Sequence, residues 1–192
     1  MQQITLKGTN REIGNKALVK AVRRDNLVPC VYYGNGVENT VFSVALKDLE
    51  TILNTPNSYI IEIDIEGKKQ LAVLQAVQFH PVTDKPLHVD FLAIQEDKPV
   101  TINIPVVITG NSIGVRQGGK LMVSTRKLKV SGMMKDLPDT LQVDITELNL
   151  GKQIVAGDLH YDNIQIMSPK ATIVCSVKMT RAAASAAADA QA

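Results

Sequence analysis

Apolar and polar residues alternate along most of the chain in short runs broken by turn signals. That is the pattern of β-strands with one face buried, not of long helices. The runs that predict strands are Gln3–Lys7, Pro29–Tyr33, Thr40–Ala45, Tyr59–Ile65, Gln70–Phe79 and Leu87–Ile94. Glu66-Gly67-Lys68 separates two alternating runs and predicts a hairpin. Gly34-Asn35-Gly36 and Asn54-Thr55-Pro56-Asn57 predict further turns. Helical spacing occurs at Lys16–Asn26 and near Leu46–Asn54. Around Gln95-Glu96-Asp97-Lys98-Pro99 the chain turns polar, which places a boundary there between a domain over 1–95 and a second over 96–180. The second set of strands is Val100–Ile108, Lys120–Val130, Leu141–Val143, Ile164–Met167 and Ala171–Met179, with Gly110, Gly114, Gly118 and Gly119 in its loops. Residues 181–192 contain eight alanines and are expected to form a flexible tail, since so short a helix is marginal alone. The expected fold class is mainly β (α+β), in two β-rich domains.

Composition narrows the function. The chain has 192 residues, 45% hydrophobic and 21% charged, with a net charge of +2, as in ordinary globular domains. No apolar run approaches the roughly 18 residues of a membrane span. Met1-Gln2-Gln3-Ile4-Thr5-Leu6-Lys7 lacks the basic start and apolar stretch of a signal peptide. A cytoplasmic protein is expected, with Cys30 and Cys175 reduced inside apolar runs. The absence of Trp and the 4% aromatic content argue against a large aromatic-lined cofactor pocket, and no cofactor is expected. The charge is unevenly spread. Lys7–Arg24 holds six basic residues against Glu12 alone, whereas Asp25–Glu66 holds Lys47 against seven acids. A focused basic surface on an acidic background points to an anionic partner.

That surface lies on the first helical stretch. Asn15 is a suitable N-cap, and Asn26 suits a left-handed end. At 100° per residue, Lys16, Lys20, Arg23 and Arg24 fall within about 100° of one another, with Ala17, Leu18, Ala21 and Val22 opposite. A solvated helix face ordinarily mixes signs, whereas Lys16 and Lys20 are like charges at i,i+4. A polyanion would relieve that repulsion. Arg11, in the loop before the helix, is placed to reach the same anion.

Leu87-His88-Val89-Asp90-Phe91 alternates strictly, so His88 and Asp90 share a face away from the core. By the same rule Gln78 and His80 share a face of the preceding strand. Three uses of Gln78, His80, His88 and Asp90 compete. A catalytic His–Asp pair lacks a nucleophile elbow or an accessible thiol nearby. A metal site would need the spacing H-x7-H-x-D, which matches no standard zinc signature. The third is hydrogen-bonded recognition of a polar ligand, in which Asp accepts from base amino groups while His and Gln reach 2′-hydroxyls or base edges; a polar face simply open to water is the remaining alternative. Gly114-Val115-Arg116-Gln117-Gly118-Gly119-Lys120 is glycine-rich and basic, but it lacks the Ser/Thr and the helix of a phosphate loop and is expected to be a surface loop. Lys127 and Lys129 alternate on one strand face and offer a second, weaker basic surface.

Arg11-x-x-Gly14, the basic helix, Val28-Pro29-Cys30-Val31-Tyr32-Tyr33-Gly34, Val77-Gln78-Phe79-His80-Pro81 and Leu87-His88-Val89-Asp90-Phe91 together resemble the bacterial large-subunit ribosomal protein twenty-five family. The two-domain CTC-type (general stress protein) branch is the nearer likeness. Val106-Val107-Ile108-Thr109-Gly110 and Gly118-Gly119-Lys120-Leu121 extend it into the second half. The resemblance implies an N-terminal small β-barrel with flanking helices that binds 5S ribosomal RNA at loop E, chiefly through the minor groove. It further implies a non-enzymatic role, monomeric within the large ribosomal subunit, with no membrane. The family's RNA-contacting positions match Arg11, Arg23, Tyr33, His88 and Asp90, and the helix adds Lys16, Lys20 and Arg24. Many members carry Arg before His-Pro where this chain has Phe79, consecutive arginines where it reads Val19-Lys20-Ala21, and Gly where it has Asn26. The rival expectation is a protein-interaction or stress-chaperone module docking an acidic partner through the basic helix.

Overall fold

A computed structural model describes residues 1–95 and 97–180. The Ala-rich stretch expected to be a flexible tail lies outside the described residues. Packing divides the chain into two compact units: Met1–Ile102 with Met133–Asp139, and Asn103–Gly132 with the described residues from Thr140 onward. Among the described residues no helix is long and apolar enough to cross a membrane.

The first unit is a closed six-stranded barrel. Its elements are β1 (Gln2–Asn10), α1 (Lys16–Arg24), β2 (Leu27–Gly34), β3 (Val37–Ala45), α2 (Leu46–Leu53), β4 (Tyr59–Ile65), β5 (Lys68–Phe79) and β6 (Pro86–Ala93). The strand order is β1-β3-β2-β6-β5-β4, and the parallel pairing of β1 with β4 closes the ring. Two tight turns set the register. Glu66 (φ 52°) and Gly67 (φ 86°) join β4 to β5, and Asn35 (φ 51°) and Gly36 (φ 80°) join β2 to β3. Positive φ at both central residues suits the twist of antiparallel strands.

Period-two alternation fills the barrel. Val28, Cys30 and Tyr32 of β2, Phe42 and Val44 of β3, Ile61 and Ile63 of β4, and Val89, Phe91 and Ala93 of β6 belong to one buried cluster. The rings of Phe42 and Phe91 lie 5.8 Å apart at its centre. Leu49 and Ile52 of α2 join the same cluster. Inward placement of Val89 and Phe91 puts His88 and Asp90 outside, because neighbours on a strand point to opposite faces.

Helix α1 starts as expected, with the Asn15 side chain accepting from the N–H groups of Ala17 and Leu18. It stops two residues early, at Arg24, and Asn26 takes the left-handed conformation (φ 57°) just beyond. The apolar side of α1 is not packed into the core. None of its residues is buried, and Leu18 is 55% exposed. The helix is a surface attachment to the barrel, not part of its core.

The second unit comprises most of β7 (Val100–Thr109), then α3 (Ile113–Arg116), β8 (Lys120–Val123), β9 (Lys127–Gly132), β10 (Leu141–Asp144), β11 (Gln153–Val155), β12 (Ile164–Ile166) and β13 (Ile173–Lys178). They form a four-stranded sheet, β10-β7-β9-β12, and a three-stranded sheet, β11-β13-β8. Two expectations are corrected here. The single strand foreseen over Lys120–Val130 is two, because the N–H groups of Ser124 and Thr125 both turn to Val174 O and break the run. The glycine-rich segment also contains a helical turn, α3, capped by the buried Ser112, whose hydroxyl accepts from Val115 N–H and donates to Leu148 O at 2.7 Å.

Candidate nucleic-acid interface

The face centres on β6. Asp90 stands opposite Val31 of β2 on one side and Ala76 of β5 on the other. His88 stands opposite Gln78. Tyr33 is opposite Leu92, one step along the same outer face. Tyr33, Gln78, His88 and Asp90 therefore share the exterior of three adjacent strands. The partner tyrosine, Tyr32, points inward and is buried.

His88 and Asp90 are joined directly, with Nδ1 and Oδ1 2.7 Å apart. The carboxylate fixes the ring so that Nδ1–H donates to it, which leaves Nε2 as the ring's second polar atom. Both side chains are about three-quarters covered, at 25% and 29% exposure. Such a pair is held in place but still reachable from outside.

Arg23 provides a link that the linear pattern did not reveal. Its Nε and Nη2 both donate to the carbonyl oxygen of Leu87, at 3.2 and 2.9 Å. The fork pins α1 to the residue that precedes His88. Three of the five guanidinium hydrogens remain for another acceptor. Lys20 and Arg24 are exposed on the same helix, and Lys16 begins it, about 10 Å from Arg23 along the axis at 1.5 Å per residue. Among the described residues, none of these four cations forms an ion pair.

Arg11 follows β1, where its N–H donates to Val41 O and to Asn10 Oδ1. Its Nε is buried without a hydrogen-bond partner. Burial pushes the Cys30 thiol up to about 12, with a lowering influence from Arg11 and a smaller raising one from Asp90.

His80 does not join that face. A register shift between Gln78 and Phe79 interrupts the alternation, and β5 ends at Phe79. His80 lies in the following turn, where Nδ1 accepts from the N–H groups of Val82 and Thr83, each at 3.2 Å. It instead lines a small hollow of about 140 Å³ with Arg23, Asn26, Leu46 and Pro86. The unmatched residue at the shift is Leu87 of β6, and His80 lies past the end of β5, where strand alternation no longer sets the direction of a side chain. Among the described residues no group of three His, Cys, Asp or Glu side chains is placed to hold a metal ion.

Comparison with known proteins finds a match in each half of the chain. Residues 6–91 match the model of the Ribosomal L25p family, and residues 99–181 match that of the Ribosomal protein TL5, C-terminal domain. A protein named large ribosomal subunit protein bL25 from Azobacteroides pseudotrichonymphae is 46% identical over 96% of this chain and 98% of its own. Proteins of the same name from Phocaeicola vulgatus and Porphyromonas gingivalis are 45% identical (99% of each chain) and 41% identical (97% of this chain, 98% of the other). With both segments matched in order and such relatives aligned nearly end to end, the chain belongs to the ribosomal L25p family of large-subunit ribosomal proteins, in the form that carries a TL5-type C-terminal domain.

Proposed function

We propose that this chain is a structural component of the bacterial large ribosomal subunit, in the cytoplasm, that binds 5S rRNA at the irregular loop E helix through its N-terminal barrel. The observation that carries the reading is the Arg23 fork on Leu87 O, which joins a wholly cationic helix to the strand bearing His88 and Asp90. The two parts have separable tasks. Lys16, Lys20, Arg23 and Arg24 neutralise phosphates and supply affinity that is independent of sequence. The fixed His88–Asp90 pair, with Gln78 and Tyr33, reads the shape and the minor-groove groups of a distorted duplex. A carboxylate beside RNA costs Coulomb energy unless it accepts a hydrogen bond, and a guanine amino group is the simplest donor. The role is binding and not catalysis.

The test is binding of the full chain to 5S rRNA in the presence of excess tRNA. Asp90→Ala is expected to lose discrimination between the two RNAs while keeping the electrostatic background. An Asp90→Ala variant that selects 5S rRNA as well as the unmodified chain does would remove the recognition role. If an acidic protein competes for α1 while 5S rRNA binds no better than tRNA, the protein-docking alternative replaces it.

A further inference from the structure

We propose that the outer face of the sheet β11-β13-β8 is a second RNA-binding surface, on which Lys120 and Lys178 hold the phosphate backbone of ribosomal RNA outside the 5S molecule. This inference rests on the ribosomal reading above and extends it to the C-terminal unit. That unit carries eight Lys or Arg against four Asp or Glu over its described residues. Among the described residues none of those eight cations forms an ion pair.

The sheet concentrates this imbalance. Lys178 of β13 and Lys120 of β8 are direct cross-strand partners, and both are exposed. Like charges placed directly opposite on a sheet are destabilising. No Asp or Glu occurs in β8, β11 or β13 to offset them. Edge strands often carry Lys to block unwanted pairing, and β8 is an edge strand, so that use accounts for Lys120. It does not account for Lys178, because β13 is the central strand of the three.

Two more cations stand at the same end. Lys152 is hydrogen-bonded through its carbonyl to Val177 N–H, beside Lys178. Arg116 ends α3, and the turn that follows is drawn down onto β13. A Cβ on Gly119 would lie 2.5 Å from Val177 Cγ1, so only glycine lets the chain pass there, and Gly118 O accepts from the Thr180 hydroxyl at 2.7 Å. The packing holds four exposed cations at one end of a sheet that has no internal counter-charge. A polyanionic backbone supplies that counter-charge, and a phosphodiester chain is the polyanion a ribosomal protein meets.

The experiment uses the full chain and two probes: 5S rRNA, and the long rRNA of the large subunit freed of protein and of 5S rRNA. Binding of each is followed against salt for the unmodified chain, for K120Q/K178Q and for K120R/K178R. Each phosphate contact contributes roughly 0.7–0.9 to the slope of log affinity against log salt. K120Q/K178Q should therefore flatten the slope on the long rRNA by about 1.5, leave the 5S rRNA isotherm unchanged, and melt at an equal or higher temperature at low salt. K120R/K178R should restore the slope. An unchanged slope on the long rRNA overturns the proposal. So does a variant that falls off intact subunits yet binds the bare long rRNA normally, which would identify a protein partner. Failure of the unmodified chain to prefer 5S rRNA would instead defeat the N-terminal assignment, and the long-rRNA measurement would still be readable.

Discussion

Replacing Arg23 by Lys separates the two jobs that the residue performs. The guanidinium makes two hydrogen bonds to one carbonyl oxygen, at 3.2 and 2.9 Å. A lysine keeps the charge but cannot form the fork. Hydrogen bonds to charged groups contribute about 1.5–3 kcal/mol when shielded. Arg23 is exposed and water competes for Leu87 O, so a loss of about 1 kcal/mol of folding stability is expected. Helix α1 has no buried residue of its own, so loosening this tie should also let it drift relative to β6. For 5S rRNA the consequence is a weaker affinity with a nearly unchanged salt slope. Arg23→Ala should lose about 1–3 kcal/mol of binding and flatten the slope by about one phosphate contact. Urea denaturation gives the stability change, and filter binding across a salt series gives the rest. If Arg23→Lys matches the unmodified chain in stability, affinity and slope together, the fork does not organise the interface.

Other consequences are simpler to read. Lys16→Ala should lower the salt slope on 5S rRNA by about one unit without changing the preference over tRNA; an unchanged slope places Lys16 off the RNA. Because burial pushes the Cys30 thiol up to about 12, that thiol should resist a thiol reagent at pH 8 until the protein unfolds. The folded state holds this proton more tightly than the unfolded one, so the associated stability is intact below the ordinary thiol range and is lost as pH rises from about 9 toward 12. Rapid labelling of Cys30 in the native protein, or stability flat across that window, would contradict the buried placement. Phe91→Ala, which removes one ring of the central pair, should cost about 3–5 kcal/mol by urea denaturation; a cost under about 1 kcal/mol would mean the ring is not at the centre of the core.

The parts legible in the sequence are those governed by neighbours along the chain. Glu66-Gly67 and Asn35-Gly36 fix turns by their own positive φ, Asn15 caps a helix two and three residues away, and the His88–Asp90 pair follows from spacing within one strand. What escaped depends on residues far apart. Arg23 reaches Leu87 across 64 positions. The split between β8 and β9 is imposed by Val174, and β11 spans three residues, too few to establish a period. His80 illustrates the middle case, because its local signal was right for a strand but β5 ends one residue before it, at Phe79. The glycine-rich segment lies at the surface as expected, with Arg116, Gln117, Gly118 and Lys120 exposed, but the role of its first glycine depends on distant residues. A Cβ on Gly114 would lie 2.6 Å from the backbone nitrogen of Leu150, so that glycine serves close packing within the C-terminal unit.

The most direct test of the account replaces loop E of 5S rRNA by a regular Watson–Crick helix of equal length and measures binding of the full chain to both RNAs at the same salt concentration. Phosphate neutralisation is the same for the two, so any difference reports the reading of shape by the face around His88 and Asp90. The account predicts at least about a hundredfold weaker binding to the regular helix, near 2.7 kcal/mol. Equal affinity for the two RNAs would contradict it.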